Sequence, residues 1–397
     1  MSGTLNSVIE LDATFHAGVY NRMKICLVRG EGSRVWDSEG NDYLDCVAGI
    51  AVNNVGHCNP KVVEAIREQA GKLMHCSNIY YIEPQAELAQ RLVKMLPEGL
   101  DKVFFCNSGT EAIEAAIKLT RRASGRPGII AARGSFHGRT LGSLSLTGQE
   151  KYRTPFEPLV PGAKFVEFGD LEALASAIDD KTGGVILEPV QGEGGIIPAL
   201  PEYLSSVRDL CEEKGLILTF DEVQAGMGRT GSFLACQRLG TTPDIVAMAK
   251  GLGGGFPIGA MAARSDVMDM FHPSDHASTF GGNPLACSAA NATLEALVDE
   301  GLIQRALELG NWAIDNMEKT QKEYPELVKS VRGLGLMLGL EMASEKIAMK
   351  VFDDCLQERI LVNRTAGSVI RLVPPLCITK EELTRAFSAI RASLRSV

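Results

Sequence analysis

Long apolar runs are missing from this sequence. None approaches the roughly 18 residues that a membrane-spanning helix needs, so no such helix is expected. The opening stretch, MSGTLNSVIELDATF, has no basic flank followed by an apolar core, which argues against a secretory leader. Positive charge is also scarce: 40 Lys and Arg stand against 49 Asp and Glu, a net charge of −9. Phosphate backbones are gripped by clustered Lys and Arg, so a general nucleic-acid surface is not expected. The 10 cysteines are scattered, with no CxxC pair and no Cys/His cluster at zinc-ligand spacing. They read as thiols in a reducing compartment, and no metal is expected. No GxxxxGK[ST] loop occurs either, which removes the usual triphosphate cradle. These absences leave a soluble, cytoplasmic protein as the expectation.

What is present is the composition of an ordinary globular chain, 45% apolar and 22% charged over 397 residues. That length allows a sizeable core and more than one domain. Short apolar runs, KVFFC (102–106), GGVILEPV (183–190), LILTF (216–220) and DIVAMA (244–249), alternate with amphipathic segments. This alternation predicts a parallel sheet covered by helices on both faces. Ligands of such sheets bind at the carboxyl ends of the strands. The ends of the chain differ. Residues 32–49 read as a hairpin turning at Glu39-Gly40-Asn41, and a long helical region follows Pro284 towards Tyr324. A closing helix is announced by the Thr379/Glu382 capping box. We therefore expect an α/β protein with a large mixed, mostly parallel sheet domain over 51–285. A small α+β domain is expected from both termini, 1–50 and 286–397.

Three features fall at strand ends. NSGTEA opens a helix with Ser108, Gly109 and Thr110, where exposed N–H groups can seat an anion, though a plain N-cap explains the same residues. Asp221 closes an apolar run, and a carboxylate there needs a cationic or hydrogen-bonding partner. Lys250 closes the next run and is followed by Gly251, Gly253, Gly254 and Gly255. A lysine in a partly desolvated crevice can lose its proton and act as an amine nucleophile. An amine, an acid and an anion seat are what pyridoxal phosphate requires. The alternative is a lysine that simply neutralises an anion beside a glycine loop. GMGRTG (226–231) matches GxGxxG but is not set in the strand-to-helix turn, so a dinucleotide site is not expected. SFHGRTLG adds Phe136, which can stack on a ring, His137, and Arg139, which can fork a carboxylate. HASTFGGNP adds small hydroxyl residues suited to an oxyanion.

Taken in order, NSGTEA, FHGRTLG, EPVQGEGG, FDEVQAGMGRTG, AKGLGGGFPIGA, STFGGNPLAC and RLVPPL resemble the class III pyridoxal-phosphate aminotransferases that act on ω-amines. The resemblance covers nearly the whole chain, from about Tyr20 to the final helix. It implies fold type I of the pyridoxal-phosphate transferases, pyridoxal 5'-phosphate as cofactor and a homodimer with shared sites. It also implies roles. Lys250 would hold the cofactor aldehyde and shuttle a proton, Asp221 would pair with the ring nitrogen, and Gln224 would bond the ring's 3′-oxygen. Ser108, Gly109 and Thr110 would seat the phosphate, Thr279 would reach the neighbouring subunit's phosphate, and Phe136 would stack on the ring. Arg139 would grip a substrate carboxylate, with Ser278 nearby and Tyr20 also in the substrate set. Glu193 would pair with Arg371 in one half-reaction and release it to 2-oxoglutarate in the other. GIAVNNVGHCNPKVVEAI, SNIYYIEPQAELAQRL, FEPLVPG and RLVPPLCITKEEL are most similar to the acetylornithine branch of the family. That branch implies N2-acetylornithine as donor and 2-oxoglutarate as acceptor. Met23-Lys24-Ile25 departs from the branch, where an aromatic or apolar residue followed by Pro is usual, and Asn59 stands where His is common. Sister donors share every catalytic residue: ornithine, succinylornithine, 4-aminobutyrate or an acylated lysine. A racemase or decarboxylase on the same scaffold would have no use for a Glu193/Arg371 switch. A non-enzymatic or nucleotide-binding α/β protein is the remaining alternative.

Overall fold

The computed structural model describes residues 5–397. Seven strands form the central sheet: β1 (Lys102–Cys106), β2 (Gly128–Ala132), β3 (Ala163–Val166), β4 (Thr182–Leu187), β5 (Ile217–Asp221), β6 (Ile245–Met248) and β7 (Gly259–Ala263). Their spatial order is β1-β7-β6-β5-β4-β2-β3. All neighbours pair in parallel except β7, which is antiparallel to both β1 and β6. The mixed, mostly parallel sheet expected from the sequence is thus observed.

The four apolar runs read from the sequence are β1, β4, β5 and β6. Three escaped that reading: AKFV is only four residues long and carries a lysine, while GIIAA and GAMAA are rich in Gly and Ala. Their small side chains have a packing reason. Helix Gly109–Ser124 lies on the sheet through Ala112, Ile113, Ala115, Ala116 and Leu119, against Ala131, Ala247, Met261 and Ala263. Small residues on both surfaces bring helix and strands close, at the expense of the β-branched signal that marks a strand.

The two ends of the chain meet in a separate four-stranded sheet. Leu27–Glu31, Arg34–Asp37 and Asp42–Asp45 form a meander, and Ile360–Leu361 adds in parallel to Asp42–Asp45. A second sheet orders Val328–Leu334, Met337–Met342, Val369–Leu372 and Asn363–Thr365, antiparallel throughout. The helical region after Pro284 is two helices, Pro284–Asp299 and Leu302–Glu323, parted by Gly301 at φ 61. The Thr379/Glu382 capping box is present in both directions.

The GMGRTG run turns out to be a buried turn whose arginine straps the C-terminal strands to the central sheet. Arg229 donates to the carbonyls of Leu336 and Pro374 at 3.1 and 2.5 Å and to Asn54 Oδ1 at 2.6 Å. These bonds spend both terminal nitrogens of the buried guanidinium and offset part of its desolvation, while Nε has no hydrogen-bond partner among the described residues. The strap fixes the strand that carries Arg371.

Candidate active site

Chain direction gathers the site at one end of the sheet. β1, β2, β4, β5 and β6 all end there, β5 on Asp221 itself, and they are followed by Asn107–Thr110, Phe136–Arg139, Glu188, Val223–Gln224 and Ala249–Lys250. The antiparallel β7 begins at that same end, so residues 255–258, just before it, complete the wall. Together they enclose a cavity of about 440 Å³. Of the residues singled out from the sequence, Ser108, Gly109, Thr110, Phe136, His137, Arg139, Glu193, Asp221, Gln224 and Lys250 line it.

Lys250 follows β6 in the left-handed backbone region, at φ 45. Such a conformation is strained for a residue with a Cβ and persists where surrounding structure imposes it. Its amine makes no hydrogen bond or ion pair among the described residues. Burial pulls its pKa below the usual lysine value, and the nearby Arg371 cation pulls the same way, against the carboxylates of Glu193, Asp221 and Glu188. An amine in this position has its neutral form favoured.

Asp221 is the last residue of β5, one strand over. Its Oδ1 accepts from the Val223 N–H at 3.0 Å, and its Oδ2 accepts from His137 Nδ1 at 2.8 Å. The carboxylate is only 5% exposed, yet each oxygen keeps a lone pair for a further donor. His137 is therefore the partner that a strand-end carboxylate required. The sequence offers His137 without a role; the signal is its place, two residues before Arg139 in the loop that follows β2.

Glu188 was not anticipated. It follows β4 and is buried, accepting from the N–H of Phe136 at 2.9 Å and of Gly192 at 3.0 Å. Burial raises its pKa to about 7, opposed by the charge of His137 and supported by that of Asp221. One carboxyl thus ties the Phe136 loop to the loop that presents Glu193.

Ser108 caps helix Gly109–Ser124, its side chain accepting from the Glu111 N–H. The cap and the anion seat are compatible: the hydroxyl serves one first-turn N–H, while those of Gly109 and Thr110 lack intrahelical acceptors by position. Gly109 is required sterically, because a Cβ there would come within 2.7 Å of Val223 Cγ1. Thr110 Oγ1 is already engaged with Thr140 and Ser143 at 2.8 and 2.6 Å.

Behind the cavity wall, Arg371 is 1% exposed. It donates from Nη1 to Glu193 Oε1 at 2.5 Å and to Gln224 Oε1 at 3.2 Å, and from Nη2 to Asn363 Oδ1 at 2.7 Å. Burial pushes the Glu193 carboxyl up, but the charge and hydrogen bond of Arg371 outweigh it and hold the pKa below the ordinary value. Gln224 spends its oxygen on Arg371, so its amide nitrogen is the donating end, and it also faces the Glu193 carboxylate. Arg139, by contrast, makes no hydrogen bond or ion pair among the described residues; its guanidinium lies over the rings of Tyr152 and Phe136.

Besides Arg371, three predicted residues lie outside the wall. Ser278 Oγ accepts from the Gly281 N–H at 2.9 Å and from Asn107 Nδ2 at 3.4 Å, so it sits one residue behind the cavity. Thr279 is exposed. Tyr20 is exposed too, with the Arg22 guanidinium 5.0 Å from its ring centroid.

A free, desolvated amine, a buried carboxylate and a glycine-dependent helix start in one cavity fit a phosphorylated aldehyde bound to lysine. Comparison with known proteins agrees. The family model described as aminotransferase class-III matches residues 15–394. An acetylornithine aminotransferase of Methanopyrus kandleri is 51% identical, with 98% of each chain covered. One from Caldanaerobacter subterraneus is 48% identical, covering 96% of this chain and 98% of the relative. Among solved structures, the ornithine aminotransferase of Toxoplasma gondii superposes with a TM-score of 0.94 at 33% identity, covering 99% of this chain and 96% of that one. The acetylornithine aminotransferase of Elizabethkingia anophelis gives 0.88 at 33% identity, with both chains covered completely.

Proposed function

The chain belongs to the class III aminotransferases, and from that premise we propose that it moves the δ-amino group of N2-acetylornithine to 2-oxoglutarate, yielding N-acetylglutamate 5-semialdehyde and glutamate. It is a pyridoxal-phosphate-dependent aminotransferase. The observation that carries the substrate reading is a contrast between two arginines. Arg139 stands free at the cavity, while Arg371 is masked by Glu193. A donor with one carboxylate needs one free guanidinium. An acceptor with two needs a second, and only in its own half-reaction. N2-acetylornithine and 2-oxoglutarate differ in this way. The fold similarity to ornithine aminotransferases reflects the shared scaffold, whereas 45–51% identity over nearly the full chain is reached with acetylornithine aminotransferases. The surroundings favour an acylated amine as well. The acids lining the cavity are Glu188, Glu193 and Asp221, each with a partner, and the groups against Arg139 are aromatic. A free α-ammonium beside Arg139 would meet no counter-charge among the described residues.

When bound, pyridoxal 5'-phosphate supplies an aldehyde to carry the amino group and a ring that takes up the electron pair of a broken C–H bond. The chain supplies the rest. The helix start at Gly109 and Thr110 seats the phosphate, and Phe136 covers the ring. Asp221, held by His137 and the Val223 N–H, would present a free oxygen lone pair to the ring nitrogen. Gln224 donates its amide N–H to a ring oxygen. Lys250 Nζ, a neutral amine poised by burial, would take the proton from the donor's δ-carbon and deliver it to the cofactor's former aldehyde carbon, so that the amino group stays behind. Arg139 receives the donor's carboxylate by its edge, and Glu193 keeps Arg371 covered until an acceptor carboxylate displaces it.

The same reading includes a homodimer. Leu73, Met74, Ile79, Tyr80, Tyr81 and Phe280 are exposed apolar side chains. Asn78 ties this surface to the Ser278–Gly281 turn by donating to the carbonyls of Ser278 and Gly281. Apolar patches of this kind are normally covered, and a second copy placed here would bring Thr279 to its neighbour's phosphate. Mixing Lys250→Ala subunits with Thr279→Ala subunits tests it, because shared sites would restore some activity in the mixed dimer. The donor reading is tested by following the visible absorbance of cofactor-loaded protein with N2-acetylornithine, ornithine, succinylornithine and 4-aminobutyrate, and then its recovery with 2-oxoglutarate. Fastest conversion by N2-acetylornithine supports it; faster conversion by another donor moves the protein to a sister activity.

A further inference from the structure

Arg139 is the only arginine in the cavity wall, and no acid or carbonyl holds it among the described residues. A long, partly exposed cation without partners would ordinarily sample many rotamers. Here two rings restrain it. Its Cζ lies 4.1 Å from the Tyr152 ring centroid and 5.3 Å from that of Phe136. The two rings meet edge-on, 5.8 Å apart at 84°. Tyr152 belongs to the short helix Glu150–Arg153 and does not line the cavity, so it has no direct path to substrate. Lys151 Nζ lies 4.8 Å from the same centroid, a longer approach than that of Arg139.

The division of labour within a guanidinium matters. A ring attracts the cation through its face, whereas a carboxylate is forked by the in-plane N–H edge. Holding Arg139 by an aromatic ring therefore leaves its edge unspent. An acid in place of Tyr152 would hold the side chain equally well but would compete for the same edge. We propose that Tyr152 is a positioning residue of the donor site, whose ring holds Arg139 by its face so that the N–H edge meets the substrate carboxylate. This rests on the reading that Arg139 binds that carboxylate.

The test uses a probe that binds but cannot react: N2-acetylnorvaline, which keeps the acyl group and carboxylate and lacks the δ-amine. Its neutral carboxamide is the control. Calorimetric titration into cofactor-loaded wild type, Tyr152→Phe, Tyr152→Ala and Arg139→Met gives the acid-over-amide preference of each. Tyr152→Ala is expected to weaken the acid roughly three- to tenfold and leave the amide unchanged. Tyr152→Phe, which keeps the ring face, should stay within about twofold of wild type, and all three variants should retain the visible absorbance of the cofactor. An unchanged preference in Tyr152→Ala, while Arg139→Met loses it, overturns the role of Tyr152 alone. Equal damage from Phe and Ala would overturn it too, since the hydroxyl and not the ring would then matter. Loss of cofactor from Tyr152→Ala would likewise overturn it by showing a structural role. A preference that survives Arg139→Met would remove the carboxylate assignment itself, and the proposal with it.

Discussion

Arg371 Nη1 lies 2.5 Å from Glu193 Oε1, a contact between residues 178 positions apart that buries one guanidinium behind the wall of the cavity while Arg139 stays free in front of it. The pair is a cover. The lowered pKa of Glu193 means its carboxylate is charged at neutral pH, so the bond is made there; it is lost only as pH falls through that lowered value. Replacing Glu193 by Gln would keep the shape and remove the charge that competes for Arg371. An α-amino acid such as glutamate would then find Arg371 uncovered in the first half-reaction. The ratio of glutamate to N2-acetylornithine rates is expected to rise roughly tenfold, the worth of one charge-assisted hydrogen bond. Single-turnover absorbance changes with each donor measure it, and an unchanged ratio would refute the covering role.

Lys250 has no hydrogen-bonded partner among the described residues, and its neutral form is favoured by burial. Replacement by Ala is expected to slow the donor half-reaction by at least roughly 100- to 10,000-fold, the usual contribution of a positioned proton-transfer group. Borohydride treatment followed by mass spectrometry should add the cofactor's mass to wild type and not to Lys250→Ala. Equal labelling of both would reassign the attachment residue.

Much of this site was legible because its chemistry breaks a pattern. Asp221 and Lys250 stand out as charges that close apolar runs, and the strand-end rule then places them together. The Thr379/Glu382 box and the hairpin at Glu39-Gly40-Asn41 are equally local, and both are present. What stayed hidden is non-local or masked by packing. Composition does not reveal that Glu193 meets Arg371 across the fold, and only the family resemblance suggested it. Glu188 reads as a loop acid before Pro189, although it is buried between two backbone donors. The strand Gly259–Ala263 is nearly all Gly and Ala, because a helix lies close against it, so its sequence carries little strand signal. Tyr152 matters through a ring face, which leaves no mark in spacing.

Gly109 provides a steric test of the anion seat. A methyl group there would press on Val223 Cγ1 at 2.7 Å, so either the helix start or Val223 must shift. Gly109→Ala is expected to weaken cofactor retention by about tenfold, in line with a shift that costs one or two hydrogen bonds to phosphate. Adding Val223→Ala should recover part of that loss by making room. Equilibrium dialysis of the cofactor against the single and double variants gives the coupling. Full retention in Gly109→Ala would mean that the phosphate sits elsewhere.

Glu222, next to Asp221, is buried and accepts from the N–H groups of Ala235 and Cys236 at 2.9 and 2.7 Å. Burial nonetheless raises its pKa to about 7, with the Asp221 charge adding to the rise. A carboxyl with a raised pKa binds its proton more tightly in the folded state. Its favourable contribution is therefore complete below the unfolded value and is lost as pH rises through about 7. Glu222→Gln cannot ionise. It pays a fixed cost, because an amide nitrogen must face one of the two backbone donors, but that cost does not vary with pH. The stability of the variant relative to wild type should consequently improve as pH rises from the acid side of this window to its alkaline side, by up to about 3 kcal/mol. Urea unfolding of cofactor-loaded wild type and variant across that range measures the difference. A difference that stays flat with pH would show that Glu222 remains ionised in the folded protein throughout, with its two N–H donors outweighing the desolvation.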